Sequence, residues 1–140
     1  MDEIISRAYG IFASYAAGTL ATAGSDCSPG DDVVSEIASI LVSKPLRDLS
    51  GNDLLDYYYL AIDDLGTVTD FKHYLPRIME LIWGGSDTFS LDVLLLKLDA
   101  SAVAEWPLGE RTVLREFFAN LPEHARSFLQ SKDIEEVIPV

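Results

Sequence analysis

Apolar residues recur at helical spacing along almost the whole chain, and no stretch alternates with the period of two that a half-buried strand requires. Ile4, Ile5, Ala8, Ile11, Phe12, Tyr15 and Ala16 fall at i, i+3, i+4 and i+7 and predict a first amphipathic helix. It gives way to TAGSDCSPG, a loop centred on residues 24–30. Ser28 and Pro29 read as an N-cap followed by proline at the first helical position, and Asp31 and Asp32 suit the positive end of that helix. Val33, Val34, Ile37, Ile40 and Leu41 form its stripe, and Lys44-Pro45 stops it.

A third helix is predicted from Ser50, whose hydroxyl caps while Asp53 reaches back, to Gly66 as a left-handed C-cap. Thr67 or Thr69 caps the next, VTDFKHYLPRIMELIW (68–83), in which Pro76 predicts a kink or a split into two short helices. Ser90 caps a fifth helix through Trp106, and Pro107 opens a sixth through Phe117, Phe118 and Leu121. Pro122 starts a shorter one, EHARSFLQ, and residues 131–140 read as a loosely held tail. Trp83 and Trp106 are expected in the core. Six or seven helices joined by short loops define an all-α fold: one compact bundle over residues 1–140.

On a helical wheel with Asp53 at zero, Leu54, Leu55, Tyr58, Ala61, Ile62 and Leu65 fall between roughly 80° and 200° and form the expected core stripe. Asp53, Asp56, Asp63 and Asp64 gather on the opposite side, with Tyr57 and Leu60 among them and Tyr59 at the edge. Tyr58 is therefore expected to be buried and Tyr57 exposed. An apolar centre ringed by carboxylates is the pattern of a protein-binding hot spot, so the candidate partner-binding residues are Asp53, Asp56, Tyr57, Tyr59, Leu60, Asp63 and Asp64.

Charge sharpens that picture. Twenty-three acids against ten Lys and Arg leave a net charge of −13. Between Arg7 and Lys44, and again between Arg47 and Lys72, the chain carries acids and no bases. Such a field repels phosphate backbones and anionic lipid and attracts basic proteins, so no direct nucleic-acid or membrane partner is expected. The N-terminus begins with Asp2 and Glu3 and is interrupted by Arg7, unlike a secretory leader, so a cytoplasmic location is expected.

Candidate chemistry is thin. Asp70 and His73 share a face at helical spacing, with Arg77 and Glu80 further along, and a carboxylate–imidazole pair can serve acid–base work or ligate a metal. No third partner is identifiable, and the other histidine, His124, is remote in sequence. Cys27 is the single cysteine, so no intrachain disulfide forms and no thiolate cluster assembles. No catalytic residue, metal site or cofactor is assigned.

The segment DFKHYLPR (70–77), preceded by PLRDLS (45–50) and followed by Lys97-Leu98 and Trp106-Pro107, resembles a group of small bacterial helical proteins with no established activity. The resemblance spans about Ser43 to Leu121 and implies a helical fold. Relatives carry a cysteine cluster where this chain has DCSPG, of which Cys27 alone remains.

The sequence is thus read as an acidic bacterial immunity protein or antitoxin that occludes a basic toxin, such as a nuclease. The alternatives are an enzyme or metal-binding module centred on Asp70 and His73, or a generic adaptor subunit.

Overall fold

The computed structural model of the chain describes residues 2–16, 31–61, 66–85, 89–121 and 131–139. Among these residues there are seven α-helices, two 3₁₀ turns and no strand. The fold is built around α4 (Val68–Trp83), whose Phe71, Tyr74, Leu75, Ile78, Met79 and Ile82 are buried along with Lys72 and Pro76. On a wheel these positions cover roughly 200°, about twice the stripe of an ordinary surface helix, which marks α4 as central. Pro76 lies within an unbroken helix, so the expected split does not occur. The ring removes one amide donor, and packing on both sides of Pro76 holds the helix together.

Around α4 lie α1 (Asp2–Ile11) and α3 (Gly51–Leu60), and α1 also packs on α6 (Leu108–Asn120). Ile5, Ala8 and Phe12 of α1 meet a core that includes Val113, Leu114, Phe117 and Phe118 of α6. The helix α2 (Asp31–Val42) packs on α3 through a stripe that includes Val34, Ile37 and Leu41. Its predicted cap at Ser28-Pro29 and the loop with Cys27 lie outside the described residues, as does EHARSFLQ.

Both capping boxes form. Ser50 Oγ accepts from the Asp53 amide at 3.1 Å, and Asp53 Oδ2 accepts from the Ser50 amide at 2.9 Å. Thr67, rather than Thr69, caps α4 in the same reciprocal way with Asp70.

Three boundaries differ from expectation. The helix α3 ends at Leu60, and Ala61 turns to an extended conformation with ψ 140°. The fifth helix, α5, spans Leu91–Ala100 and then breaks, because Ala102 adopts the left-handed conformation at φ 56° and a 3₁₀ turn follows over Val103–Glu105. A helix stop of this kind ordinarily shows as Gly or Asn, so alanine gives no warning. The tail is also more ordered than expected. Residues Ser131–Val137 form α7, which packs on α5 and α6, and Ile138 is fully buried. Arg111 fastens the end by donating to the Pro139 carbonyl at 3.2 Å.

Candidate functional site

The third helix was expected to turn Tyr57 outward, and it does the reverse. Tyr57 is 0% exposed, with its ring centroid 4.9 Å from that of Tyr74 on α4. The buried positions Leu54, Tyr57, Tyr58 and Ala61 occupy roughly 40–140° of the wheel, so the core arc is rotated by about 50° from the expected one. The reason lies at Asp53. Its carboxylate marked the polar face in the sequence, yet it is folded back onto the Ser50 amide and paired with Lys44 Nζ at 2.8 Å. A capping carboxylate reports the helix start, not the solvent side. The Lys44 contact, then the backbone bond from Ser50, lowers the Asp53 carboxyl to about 2.

The Tyr57 hydroxyl is buried without a hydrogen-bond partner, and burial, with the Asp70 charge and then Tyr74 adding to it, pushes its pKa far above the ordinary tyrosine value. Tyr58 is buried as expected. Its hydroxyl donates to the Ser90 carbonyl at 2.6 Å, and its ring packs edge-on to Phe89. Leu60 is half-buried against the core. What remains outward of the expected docking set is Asp56 and Tyr59, the latter 45% exposed. Asp63 and Asp64 lie outside the described residues.

Asp70 and His73 share a helix but are drawn to different partners. Asp70 Oδ2 accepts from the Thr67 amide at 2.9 Å and from the Thr67 hydroxyl at 3.0 Å. His73 Nδ1 lies 2.9 Å from the Tyr15 carbonyl, and its ring packs edge-on to Tyr74. Among the described residues no three His, Cys, Asp or Glu side chains gather as a metal ion would need. Arg77 bridges Glu80 at 2.6 Å and the Leu49 carbonyl at 2.8 Å, while Tyr9 donates to the same Glu80 oxygen at 2.7 Å. Burial would raise the Glu80 carboxyl, but the Tyr9 hydroxyl and the Arg77 guanidinium outweigh it and the net direction is down.

A feature invisible in the sequence is how the cations are used. Lys72 is 7% exposed and sits 2.7 Å from Glu110, itself 5% exposed. The ammonium also donates to the Tyr15 hydroxyl at 3.2 Å and lies 4.3 Å from the Trp106 ring centroid. Tyr15 in turn donates to the second oxygen of Glu110. Lys97, 5% exposed, donates to the carbonyls of Tyr59 and Ala61 at 2.9 Å each. Arg7 pairs with Glu116 at 2.5 Å, Arg111 holds the Trp106 carbonyl at 2.9 Å, and Arg47 stacks on the Tyr9 ring at 3.7 Å.

The acids are distributed in the opposite sense. Asp32, Glu36, Asp48, Asp56, Asp92, Asp99, Glu105, Glu135 and Glu136 are all exposed. On α5 the buried residues Leu91, Leu94, Leu95, Lys97 and Leu98 define one face. Leu96 points away from it, 67% exposed, and shares the outer arc with Asp92 and Asp99, within about 60° of each on the wheel. Both acids lie on the same side of Leu96, so this is an exposed apolar position with acid along one flank, found on α5 rather than on α3. The same wheel, applied to LDVLLLKLDA, contains the signal. No helix among the described residues is long and apolar enough to cross a membrane.

No protein-family model, curated protein or solved structure matches the chain. The resemblance at DFKHYLPR therefore brings no activity with it, and function rests on the arrangement of the residues themselves.

Proposed function

We propose that this chain is an acidic binding protein that docks on a cationic protein and occludes it, as an immunity protein or antitoxin does to its toxin. The observation that carries this reading is the division of charge. Lys72 and Lys97 are buried, Arg7, Lys44, Arg77 and Arg111 are engaged by acids or carbonyls, and acids from every described quarter of the chain face water. An outward field of that sign steers a basic partner into encounter and repels nucleic acid. A nuclease, whose substrate groove must attract phosphate, is a partner of the right sign. Exposed apolar side chains beside acids, Tyr59 next to Asp56 and Leu96 next to Asp92 and Asp99, supply desolvated contact.

Two variants test it, Asp56→Lys/Tyr59→Ala and Asp92→Lys/Leu96→Ala/Asp99→Lys. All five positions are exposed, so melting temperatures should stay within a few degrees of the parent. The parent chain used as bait in a bacterial extract should retain one basic protein at one-to-one stoichiometry, release it as salt is raised, and inhibit its activity. At least one variant should lose the complex and the inhibition. Equal retention by the parent and both variants, or a captured partner that is acidic or uninhibited, refutes the reading.

A further inference from the structure

The exposed side chains of Tyr59 and Leu96 belong to two helices that are joined along one edge. The Tyr58 hydroxyl of α3 donates to the Ser90 carbonyl at the start of α5 at 2.6 Å, and Lys97 Nζ of α5 donates to the Tyr59 carbonyl at 2.9 Å. Tyr58 therefore marks the side of α3 that faces α5, and Lys97 marks the side of α5 that faces α3. On the α3 wheel, Tyr57 points to α4 at roughly 40° and Tyr58 to α5 at roughly 140°. The next positions round, half-buried Leu55 at roughly 200° and exposed Tyr59 at roughly 240°, open to solvent beside α5, and Asp56 follows at roughly 300°. On α5, with Leu91 at zero, the core arc runs from roughly 300° to 40° and Lys97 lies at roughly 240°. Beyond Lys97 toward solvent come Val93, Ala100 and Leu96 at roughly 200° to 140°, and then Asp92 and Asp99 at roughly 100° to 80°.

The apolar flanks of the two helices thus border one solvent-facing seam, with Asp56 along its α3 edge and Asp92 and Asp99 along its α5 edge. We propose that this seam is the docking face for the cationic partner, and that its occupant is an amphipathic helix of that partner with lysine or arginine along both edges of an apolar stripe. The proposal rests on the reading of the chain as a binder of a cationic protein, and adds the face and the chemistry of the segment that fits it. Val93, Leu96 and Ala100 stand at i, i+3 and i+7, so the apolar floor runs about 10 Å along α5, the length of two turns of a docked helix. Composition sets the sign. The helices α3 and α5 carry one cation between them, Lys97, and it is buried and directed at carbonyls. Basic edges on the occupant meet carboxylates on both sides, whereas acidic edges are repelled. Tyr59 and Leu96, on elements bridged by single side chains, fall within one interface footprint of about 800 Å² per partner.

The probe is a short helical peptide of leucine and lysine, with one leucine stripe and lysines along both edges, titrated into the isotope-labelled protein. Amide shifts should concentrate around Tyr59 on α3 and around Leu96 on α5 and follow a single binding curve. Tyr59→Ala and Leu96→Ala should each weaken the peptide about fivefold or more, the hot-spot threshold of about 1 kcal/mol expressed as affinity. A peptide of the same composition, shuffled so that the stripe is lost, should bind more weakly by a similar factor. Shifts confined to one helix, shifts spread evenly over distant acids such as Glu36 and Glu135, equal binding of the shuffled peptide, or no binding at all overturns the seam. The seam and the wider reading fail separately. A natural partner lost by one of the two surface variants described above and held fully by the other sinks the joint face while occlusion by an acidic binder stands. If no natural partner is captured, that wider reading falls, and the peptide map still decides whether the seam takes a basic amphipathic helix.

Discussion

Replacing Tyr57 by alanine removes a fully enclosed ring that packs at 4.9 Å on Tyr74. Deleting an aromatic side chain from a core costs about 3–5 kcal/mol in lost transfer energy and residual cavity. The buried hydroxyl has no partner, so its removal returns part of a desolvation penalty of about 1–3 kcal/mol. The net loss for Tyr57→Ala is therefore about 2–4 kcal/mol, a drop of roughly 10 °C for a domain of this size. Tyr57→Phe separates the two effects: it keeps the ring and deletes only the unpartnered oxygen, so stability should hold or rise by up to about 1 kcal/mol. Urea denaturation at constant slope measures both. If Tyr57→Ala costs less than about 1 kcal/mol, the ring is not core and its placement under α4 is wrong. If Tyr57→Phe is destabilising by more than about 1 kcal/mol, the hydroxyl has a partner after all.

Alkali offers an independent check. Burial raises the hydroxyl pKa of Tyr9, Tyr57 and Tyr58 and takes that of Tyr74 to about 12, whereas an unfolded chain releases those protons near 10. The folded state binds more protons above pH 10, so stability should be level below that pH and fall above it, by up to about 1.4 kcal/mol per pH unit for each of Tyr57 and Tyr58. Tyr57→Phe should make the fall visibly shallower, and the share of tyrosinate absorbance that this variant lacks relative to the parent should appear together with unfolding rather than before it. At the interior ion pair, Lys72→Met or Glu110→Leu alone strands a buried charge and should cost about 3–5 kcal/mol, whereas the double replacement should recover most of it; a thermodynamic double-mutant cycle showing simple additivity would dismiss the coupling. Ala102 is held left-handed at φ 56° and is exposed, so Ala102→Gly should stabilise by about 0.5–1 kcal/mol in thermal melts, and a loss would mean that the strain is absent.

Much of the architecture was legible because local chemistry and tertiary packing agree. Ser50 with Asp53 and Thr67 with Asp70 announce helix starts in four-residue signatures, and both boxes form. The apolar stripes of α1 and α2 lie largely where periodicity places them, although Val33, expected in the α2 stripe, is 45% exposed. The misreadings have identifiable causes. Asp53 looked like a marker of the solvent face because a capping acid and a surface acid are the same letter. Lys72 and Lys97 read as polar positions, yet their acceptors come from Glu110 and Tyr15 in one case and from Tyr59 and Ala61 in the other, all remote in sequence. No window along the chain reveals such pairings. Ala102 and the buried Ile138 at the end of α7 are likewise decisions made by packing rather than by composition.

The outward acidic surface can be measured residue by residue, by comparing how strongly a cationic and an anionic nitroxide relax the protein's protons. Enhancement by the cationic probe should exceed that by the anionic probe around Asp56, Tyr59, Asp92, Leu96 and Asp99, and the excess should shrink as salt is added. Equal enhancement by the two probes at low salt, or an excess of the anionic one at those positions, would contradict an outward acidic surface and remove the ground for a cationic partner.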